Sequence, residues 1–561
     1  MSATTSTVVS ANDPPARIAE EFSTLLNRAQ ELFVGLYDLP TYSSPAVWKP
    51  YFQRAFSSFT RLWKFQQLHR VVLEREDVCG LKRHEVGEIA SKIGQLYYNY
   101  YTRTSETGYL LDAYTFFEAV WDRKYFDKVM DTRLPSVASK RLRFCARFMI
   151  VCLLLNRWDR VQVLVVEMKR YVDLFAEVLD PMDKDGWRKT YSDMAALVDA
   201  LSRSAHGVNL LDRIPPNLRL PILALDASAR ESASRGLVGE AVICCSWPEQ
   251  VKFSDFSIDL YRIQQTLERD PVKCNPNDVK DPDCPRKYSL YMPSVSNILA
   301  HLSCSLKELQ TPQYLLFYFS GPGSASYTSS TTTSTAASPT SSTMPPLSPG
   351  PTSVDLMQCG LDMRPVPPGA ENNHEDRLHV TDLFAYLRRP FVGIIDSPAA
   401  HKVPKIYSAP FMFLMSPQEH PAERKDLDTR RNGSLFTSFL AHPVVALADL
   451  CRLGAIDAKA WDAANEVVRQ WHAALVETLV KHSDSPKLLM DLVHDDYTQR
   501  LIVRFVICRV VLTHHVHFVK TTELPCCHPD LPDVLWIDLE VISRDKLSKV
   551  LQVLDVQQQF R

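Results

Sequence analysis

Glycine is scarce in this chain, 17 of 561 residues, which leaves little material for the glycine-rich loops that cradle phosphates. Surplus charge is missing too. Lys and Arg number 63 against 65 Asp and Glu, a net charge of -2, so no global field holds nucleic acid and any such contact needs a local patch. The 13 cysteines include no CxxC pair. With a polar start, MSATTSTVVSANDPP, that lacks the basic and apolar regions of a secretory signal, they read as reduced intracellular thiols. Long apolar runs are also absent. Phe148 to Leu155 falls far short of the ~20 residues a bilayer needs. Leu501 to Val519 carries Arg504, Arg509 and three histidines, each costly in hydrocarbon. Both read as buried helices, so no membrane contact is expected. No basic cluster of the nuclear-localisation type stands out. No Ser-His-Asp or Cys-His arrangement sits in a recognised catalytic context, so neither an enzyme activity nor a cofactor is expected.

What is present begins with helices. In Gly80 to Val120, the apolar residues Val86, Ile89, Ala90, Ile93, Tyr97 and Tyr100 step by three and four, which puts them on one helix face. Thr107 is placed to cap a second helix, whose Leu110, Ala113, Phe117 and Val120 pack back on the first. Gly94 costs the first helix roughly 1 kcal/mol against Ala and signals close approach of a neighbouring backbone. The product is an αα-hairpin with the small and aromatic positions of a tetratricopeptide repeat, although the Tyr101 to Thr107 connection is too long for the regular period. Segments around Phe22 to Leu36, Tyr51 to Arg75, Lys140 to Leu155 and Val161 to Phe175 repeat the helical pattern. The expectation is a degenerate helical-repeat domain over 17–210, behind a disordered tail, 1–16.

Past Pro215 and Pro216 the pattern changes. Leu220 to Leu225, Tyr314 to Phe319, Phe391 to Ile395 and Phe411 to Met415 are short, continuously apolar runs of the kind expected for strands covered on both faces, with Gly239 to Cys245 as a further strand. Helical segments at Phe256 to Glu268 and Ser294 to Leu309 lie between them. The alternation predicts a largely parallel, Rossmann-like α/β domain over 211–430. A Ser/Thr/Pro-rich insertion, 321–372, cannot bury enough apolar surface to offset its ordering entropy and is expected to be disordered. Residues 431–561 return to helix, through Ala458 to Lys481, Lys487 to Val519 and Leu539 to Leu554. They either cover the sheet or form a bundle of their own.

Several blocks resemble the SCAI family (suppressor of cancer cell invasion): LKRHEVGEIASKIGQLYYNYY, RTSETGYL, ARFMIVCLLLN, QVKFSDFSIDLYRIQQTLERDP and GSLFTSFLAHPVVAL, in that order between about Leu32 and Phe518. The resemblance implies a non-enzymatic transcriptional cofactor, nuclear with a cytoplasmic share, whose partners are transcription-factor, chromatin or repair proteins. Animal members repress actin- and Rho-responsive transcription through a myocardin-related factor, and the family is linked to DNA-break repair. Direct nucleic-acid binding and oligomeric state are left open.

Two constellations are candidate sites. Ligands of open α/β sheets bind beyond the carboxyl ends of the strands, where LDAS supplies Asp226 and Ser228 and IIDS supplies Asp396 and Ser397. Asp226, Ser228 and Asp396 resemble a fragment of a von Willebrand A-type divalent-metal site, although Arg230 stands in place of its second serine. The bland reading is that such residues turn the chain or cap the next helix. The second constellation is basic: Lys140, Arg143 and Arg147 share a helix face and with Arg141 make the densest basic patch in the chain, facing an acidic partner or a phosphate backbone, or forming a solvated helix face. His514, His515 and His517 with Cys526, Cys527 and His528 have metal-binding residue types without zinc spacing. GPGS at Gly321 to Ser324 lacks the helix a phosphate loop requires. The leading reading is a protein-interaction scaffold, and the alternative is an α/β domain holding a metal or phosphate at its strand ends.

Overall fold

The computed structural model describes residues 14–127, 134–203, 238–268, 285–311, 313–322, 360–362, 377–400, 411–424, 427, 429–454, 456–482, 487–493 and 495–561. The N-terminal tail to residue 13, the run Leu220 to Leu225, Cys274, Cys284 and most of the Ser/Thr-rich insertion lie outside them. Two compact units emerge, one built on 14–198 and one on 238–267 with 287–561.

The first unit is helical: α1 (Pro14–Val34), α2 (Pro45–Leu68), α3 (Arg83–Thr104), α4 (Thr107–Asp122), α5 (Pro135–Leu154), α6 (Trp158–Leu174) and α7 (Pro181–Arg203). The predicted apolar faces are buried, with Ile89, Ile93 and Tyr100 on α3 and Leu110, Ala113 and Phe117 on α4. Tyr100 gathers the rings of Trp48, Phe52, Phe56 and Tyr109, a cluster that joins α2 to the hairpin. Three details depart from expectation. The long Tyr101 to Thr107 connection shrinks to Ser105 and Glu106, because α3 runs on through Thr104 and Ser105 turns the chain at φ 60°. Glu106, not Thr107, occupies the cap position. Gly94 meets a side chain rather than a backbone: a Cβ there would sit 3.0 Å from the Phe117 ring, which packs on Phe144 and Phe148.

The second unit is a six-stranded sheet between helical layers. Its strands are β1 (Val238–Cys245), β4 (Arg286–Tyr291), β5 (Tyr314–Ser320), β8 (Phe391–Asp396), β9 (Phe411–Met415) and β10 (Cys526–His528), in the spatial order β10-β9-β8-β5-β1-β4. β1, β5, β8 and β9 are parallel neighbours, and β10 closes the β9 edge antiparallel. Numbered in chain order the sheet reads 2-1-3-4-5-6, so the topology reverses between β1 and β5. This order differs from the 3-2-1-4-5-6 of a dinucleotide-binding Rossmann sheet; what the structure has is a mixed, largely parallel α/β sheet. The sequence reading missed β4 because RKYSLY opens on two charges and is only partly buried.

Among the described residues there are also two small strand pairs, β2 (Lys252–Phe253) with β3 (Phe256–Ser257), and β6 (Gly360–Asp362) with β7 (Arg377–His379). β6 lies inside the stretch expected to be disordered. Leu361 and Leu378 are buried in the core on one side of the sheet with Phe317, Phe391 and Phe413, an apolar contribution that a composition averaged over fifty residues hides. Helix α9 (Val295–Glu308), capped by the Ser294 hydroxyl, adds Ile298 and Leu302 to that core.

The opposite side of the sheet carries α8 (Ile258–Leu267), and the C-terminal helices α10 (Leu435–Ala441), α11 (Pro443–Leu450), α12 (Ala458–Lys481), α13 (Lys487–Val493), α14 (Asp496–His514) and α15 (Asp533–Leu554) follow, with α12 packed on α15 and α10 on α14. Tyr318 of β5 hydrogen-bonds Thr437 of α10 at 2.7 Å, and Tyr314 donates to Asp495, the cap of α14, at 2.6 Å. The C-terminal helices are thus tied to the sheet through α10 and the start of α14. In α14 the half-buried Arg504 donates to the carbonyls of Leu440 and Ala441, both at 2.8 Å. Those are orphan acceptors at a helix end, which accounts for a cation within an apolar run. No helix among the described residues is long and apolar enough to cross a membrane.

Gly94→Val drives branched carbons into a Phe117 ring that has no room to retreat. The expected loss is about 1–3 kcal/mol of stability, read as a lower urea midpoint, and Phe117→Leu in the same chain is expected to restore part of it.

Candidate functional site

The carboxyl ends of β1, β5 and β8 converge on a buried polar cluster. Its centre is Asp259 at the start of α8, a helix whose ten residues are all buried although they include Asp, Arg and two Gln. Asp259 accepts from Gln250 Nε2 at 2.7 Å, from the Ser434 backbone N–H at 3.0 and 3.1 Å, and from the Ser320 hydroxyl at 3.4 Å. Arg262 stands 3.7 Å away on the next turn and donates to the Asn432 carbonyl at 2.8 Å. The chain enters α10 through Gly433 at φ 75°, where a Cβ would lie 2.4 Å from the Asp259 carboxylate, so glycine is required twice over.

Asp396 is the second buried acid. Thr437 donates to its Oδ2 at 2.5 Å, and the Tyr318 hydroxyl in turn bonds Thr437. Burial lifts the Asp396 carboxyl to about 7, and the neighbouring Asp259 carboxylate adds to the lift. Burial raises Asp259 as well, opposed by Arg262, Gln250 and the Ser434 N–H. Asp259 is therefore the better solvated of the pair by protein groups, and Asp396 is the one that keeps a proton near neutrality. Tyr318, raised far above its ordinary value by burial, remains a donor.

Ser397 does what the bland reading anticipates. Its hydroxyl accepts from Ala399 N–H at 3.3 Å and its own N–H donates to the Ser416 hydroxyl at 3.0 Å, which turns the chain after β8. Asp226 and Ser228 lie outside the described residues. Asp396 and Ser397 are adjacent, but the Asp396 carboxylate is engaged by protein donors, and no group of three or more His, Cys, Asp or Glu placed to hold a metal occurs among the described residues. Beside the cluster is a cleft of about 60 Å3 bounded by His420, Ser434, Ser438 and Asp449. It has room for a few waters.

The basic patch divides. Lys140, Arg143 and Arg147 share a face of α5, where Lys140 pairs with Glu88 at 2.6 Å, Arg143 is exposed and burial lowers the pKa of Arg147. Arg141 does not join them. At 100° per residue it falls on the buried side, where it donates to the Phe126 carbonyl at 2.6 Å, to Asp127 at 3.2 Å and to the Tyr171 hydroxyl. The His and Cys residues near the end also separate: His515 and His517 are in ring contact, while Cys526 to His528 form β10.

The sequence reading overlooked Asp259, Gln250, Ser434 and Thr437. The available signal was the pattern of charged and amide residues within FSIDLYRIQQ, together with the Gly-Ser pair preceding LFTSFLA.

Asp396 makes stability depend on pH. From its ordinary value of 3.8 up to about 7, the folded chain keeps a proton that the unfolded chain has released, so its contribution to stability falls as pH rises through that window and levels off above it. Asp396→Asn is expected to flatten this slope and to raise the urea midpoint at pH 8 above that of the wild type, with a smaller difference at pH 5.

Comparison with known proteins agrees with the blocks quoted above. The family model described as Protein SCAI matches residues 24–518. The chain is 30% identical to Protein SCAI of Mus musculus and to that of Homo sapiens over 561 aligned positions, covering 96% of this chain and 89% of each relative. It is 26% identical to the Protein SCAI homolog of Dictyostelium discoideum over 710 positions, covering 97% of this chain and 91% of that one. No solved structure gives a significant match. A family match that runs through both units, with relatives aligned along nearly their whole length, makes the chain a member of the SCAI family.

Proposed function

We propose that this protein is a nuclear scaffold that acts as a transcriptional corepressor of the SCAI type, with DNA-break repair as a second setting. Its role is to hold other proteins, not to turn over a substrate. The observation that carries this reading is the extent of the family match, residues 24–518, which spans both units and not a single borrowed module. The buried acids suit it, because the Asp259 and Asp396 oxygens are occupied in joining the sheet to its helices. The partners are transcription-factor, chromatin or repair proteins.

The helical unit is the proposed docking body. Its successive helix pairs, α1 with α2, α3 with α4 and α5 with α6, pack on each other and support the degenerate-repeat reading, in which grooves between hairpins receive peptides. Arg143, with Lys140 and Arg147 beside it, gives one face of that body a cationic edge for an acidic partner or a phosphate backbone.

Fused to a heterologous DNA-binding domain, the full chain is expected to lower transcription of a reporter bearing the matching sites several-fold, and the Asp396→Asn variant to repress equally well. A reporter left at its basal level, or a protein excluded from the nucleus, would count against the proposal. Loss of repression by Asp396→Asn at unchanged protein abundance would return attention to chemistry at the sheet.

A further inference from the structure

Helix α15 is apolar on two sides. Leu535, Leu539, Leu547 and Leu551 are buried, on the side that packs against α12, where Trp471 donates to the Ser543 hydroxyl at 2.9 Å. On the opposite side Val534, Ile537 and Val541 are 65, 61 and 64% exposed. At 100° per residue the three fall within about 60° of one another and form a stripe two turns long. Single exposed apolar residues are ordinary, but three on one stripe leave roughly 300 Å2 of carbon in water, the scale at which a patch commonly serves an interaction. The helix does not need them. Val and Ile lose side-chain freedom in a helix and cost propensity against Ala, Leu or Lys, so neither the core nor the local folding of α15 accounts for their choice.

The charges of α15 say what fits that face. Its first half, 533–543, carries Asp533, Asp538 and Glu540 and no cation, whereas its second half, 544–554, carries Arg544, Lys546 and Lys549 against Asp545. This order suits the helix dipole, and it also makes the face complementary to a reversed copy of itself. Asp533 and Arg544 lie on the same flank of the stripe, and in two antiparallel helices related by a two-fold axis like flanks meet. With Ile537 at the axis, Val534 of each copy meets Val541 of the other, and Asp533 comes beside Arg544 of the second copy. A parallel arrangement would set acid on acid. Arg544 now holds Glu540 at 2.7 Å in an exposed pair one turn apart, a weak contact that leaves the guanidinium able to reach across. Asp538, on the other flank, is drawn onto His482 at 2.8 Å.

We propose that α15 is a self-association surface, on which a second copy of this chain packs antiparallel through Val534, Ile537 and Val541, with two reciprocal ion pairs between Asp533 and Arg544. An interface this small belongs to the weak class and gives a dimer that forms and parts with concentration, not an obligate one. The inference is independent of the corepressor reading, because it rests on one helix face and its charges.

The test is sedimentation velocity on the full chain from about 1 to 200 µM, the range in which a small interface becomes populated. The wild type is expected to pass from monomer towards dimer over this series. Ile537→Lys sets two ammonium groups at the axis and is expected to raise the dissociation constant more than roughly tenfold. Asp533→Arg and Arg544→Glu each turn both ion pairs into repulsions, so each alone is expected to weaken the dimer several-fold. Mixed in equal amounts the two variants are expected to associate again, because each chain supplies the charge the other lacks. All three positions are exposed, so the fold should persist, as circular dichroism would verify. A wild type that stays monomeric throughout, a dimer indifferent to Ile537→Lys, or a mixture no more associated than its two components would overturn the proposal.

Discussion

The second unit depends on how one buried carboxylate is satisfied. Asp259 is removed from water at the carboxyl end of a parallel sheet, where an unpartnered charge would cost several kcal/mol. Its partners come from four places in the chain: Gln250 after β1, Arg262 within α8, Ser320 at the end of β5, and the Ser434 N–H where the chain enters α10. No one of these segments can shift without leaving the charge exposed to an apolar interior. The C-terminal helices are therefore held to the sheet by electrostatic necessity as well as by their apolar faces.

Asp396 plays the complementary part. Placed near Asp259 in the same interior, it is the acid that yields its charge, and the Tyr318 to Thr437 to Asp396 chain links β5, α10 and β8 through groups that are all buried. Two acids sharing a buried space are often the mark of acid–base chemistry. Here, however, the oxygens face protein donors, the adjacent cleft is water-sized, and the pair serves to fasten layers together.

Periodicity made most of this architecture legible. The three apolar runs from Tyr314 to Met415 that lie among the described residues are strands, and helix Ala458–Lys481 has the predicted bounds. What escaped was short or polar: β4 at a sheet edge, the three-residue β10 between two prolines, and β6 in a Ser/Thr-rich surround. For the site, topology directed attention to the strand ends, where Asp396 belongs to the buried polar cluster and is engaged by protein donors. It could not supply Asp259 or Ser434, because nothing local marks two residues 175 positions apart as partners. Even so, the two meet inside the blocks QVKFSDFSIDLYRIQQTLERDP and GSLFTSFLAHPVVAL, which carried the family resemblance. In the basic patch, helical spacing puts Lys140, Arg143 and Arg147 on one face, and the same 100° step turns Arg141 to the buried side, where it bonds Phe126, Asp127 and Tyr171.

β10 has a consequence for how the protein is made. The apolar strand Phe411–Met415 gains its outer neighbour only from Cys526–His528, more than a hundred residues later. Until the ribosome has delivered that last segment, the growing sheet ends on a row of unpaired backbone groups flanked by Phe411, Phe413 and Leu414, a ready template for another chain. A frameshift or stop codon anywhere between these two strands would therefore release a product with an open adhesive edge, a natural substrate for chaperones and for degradation.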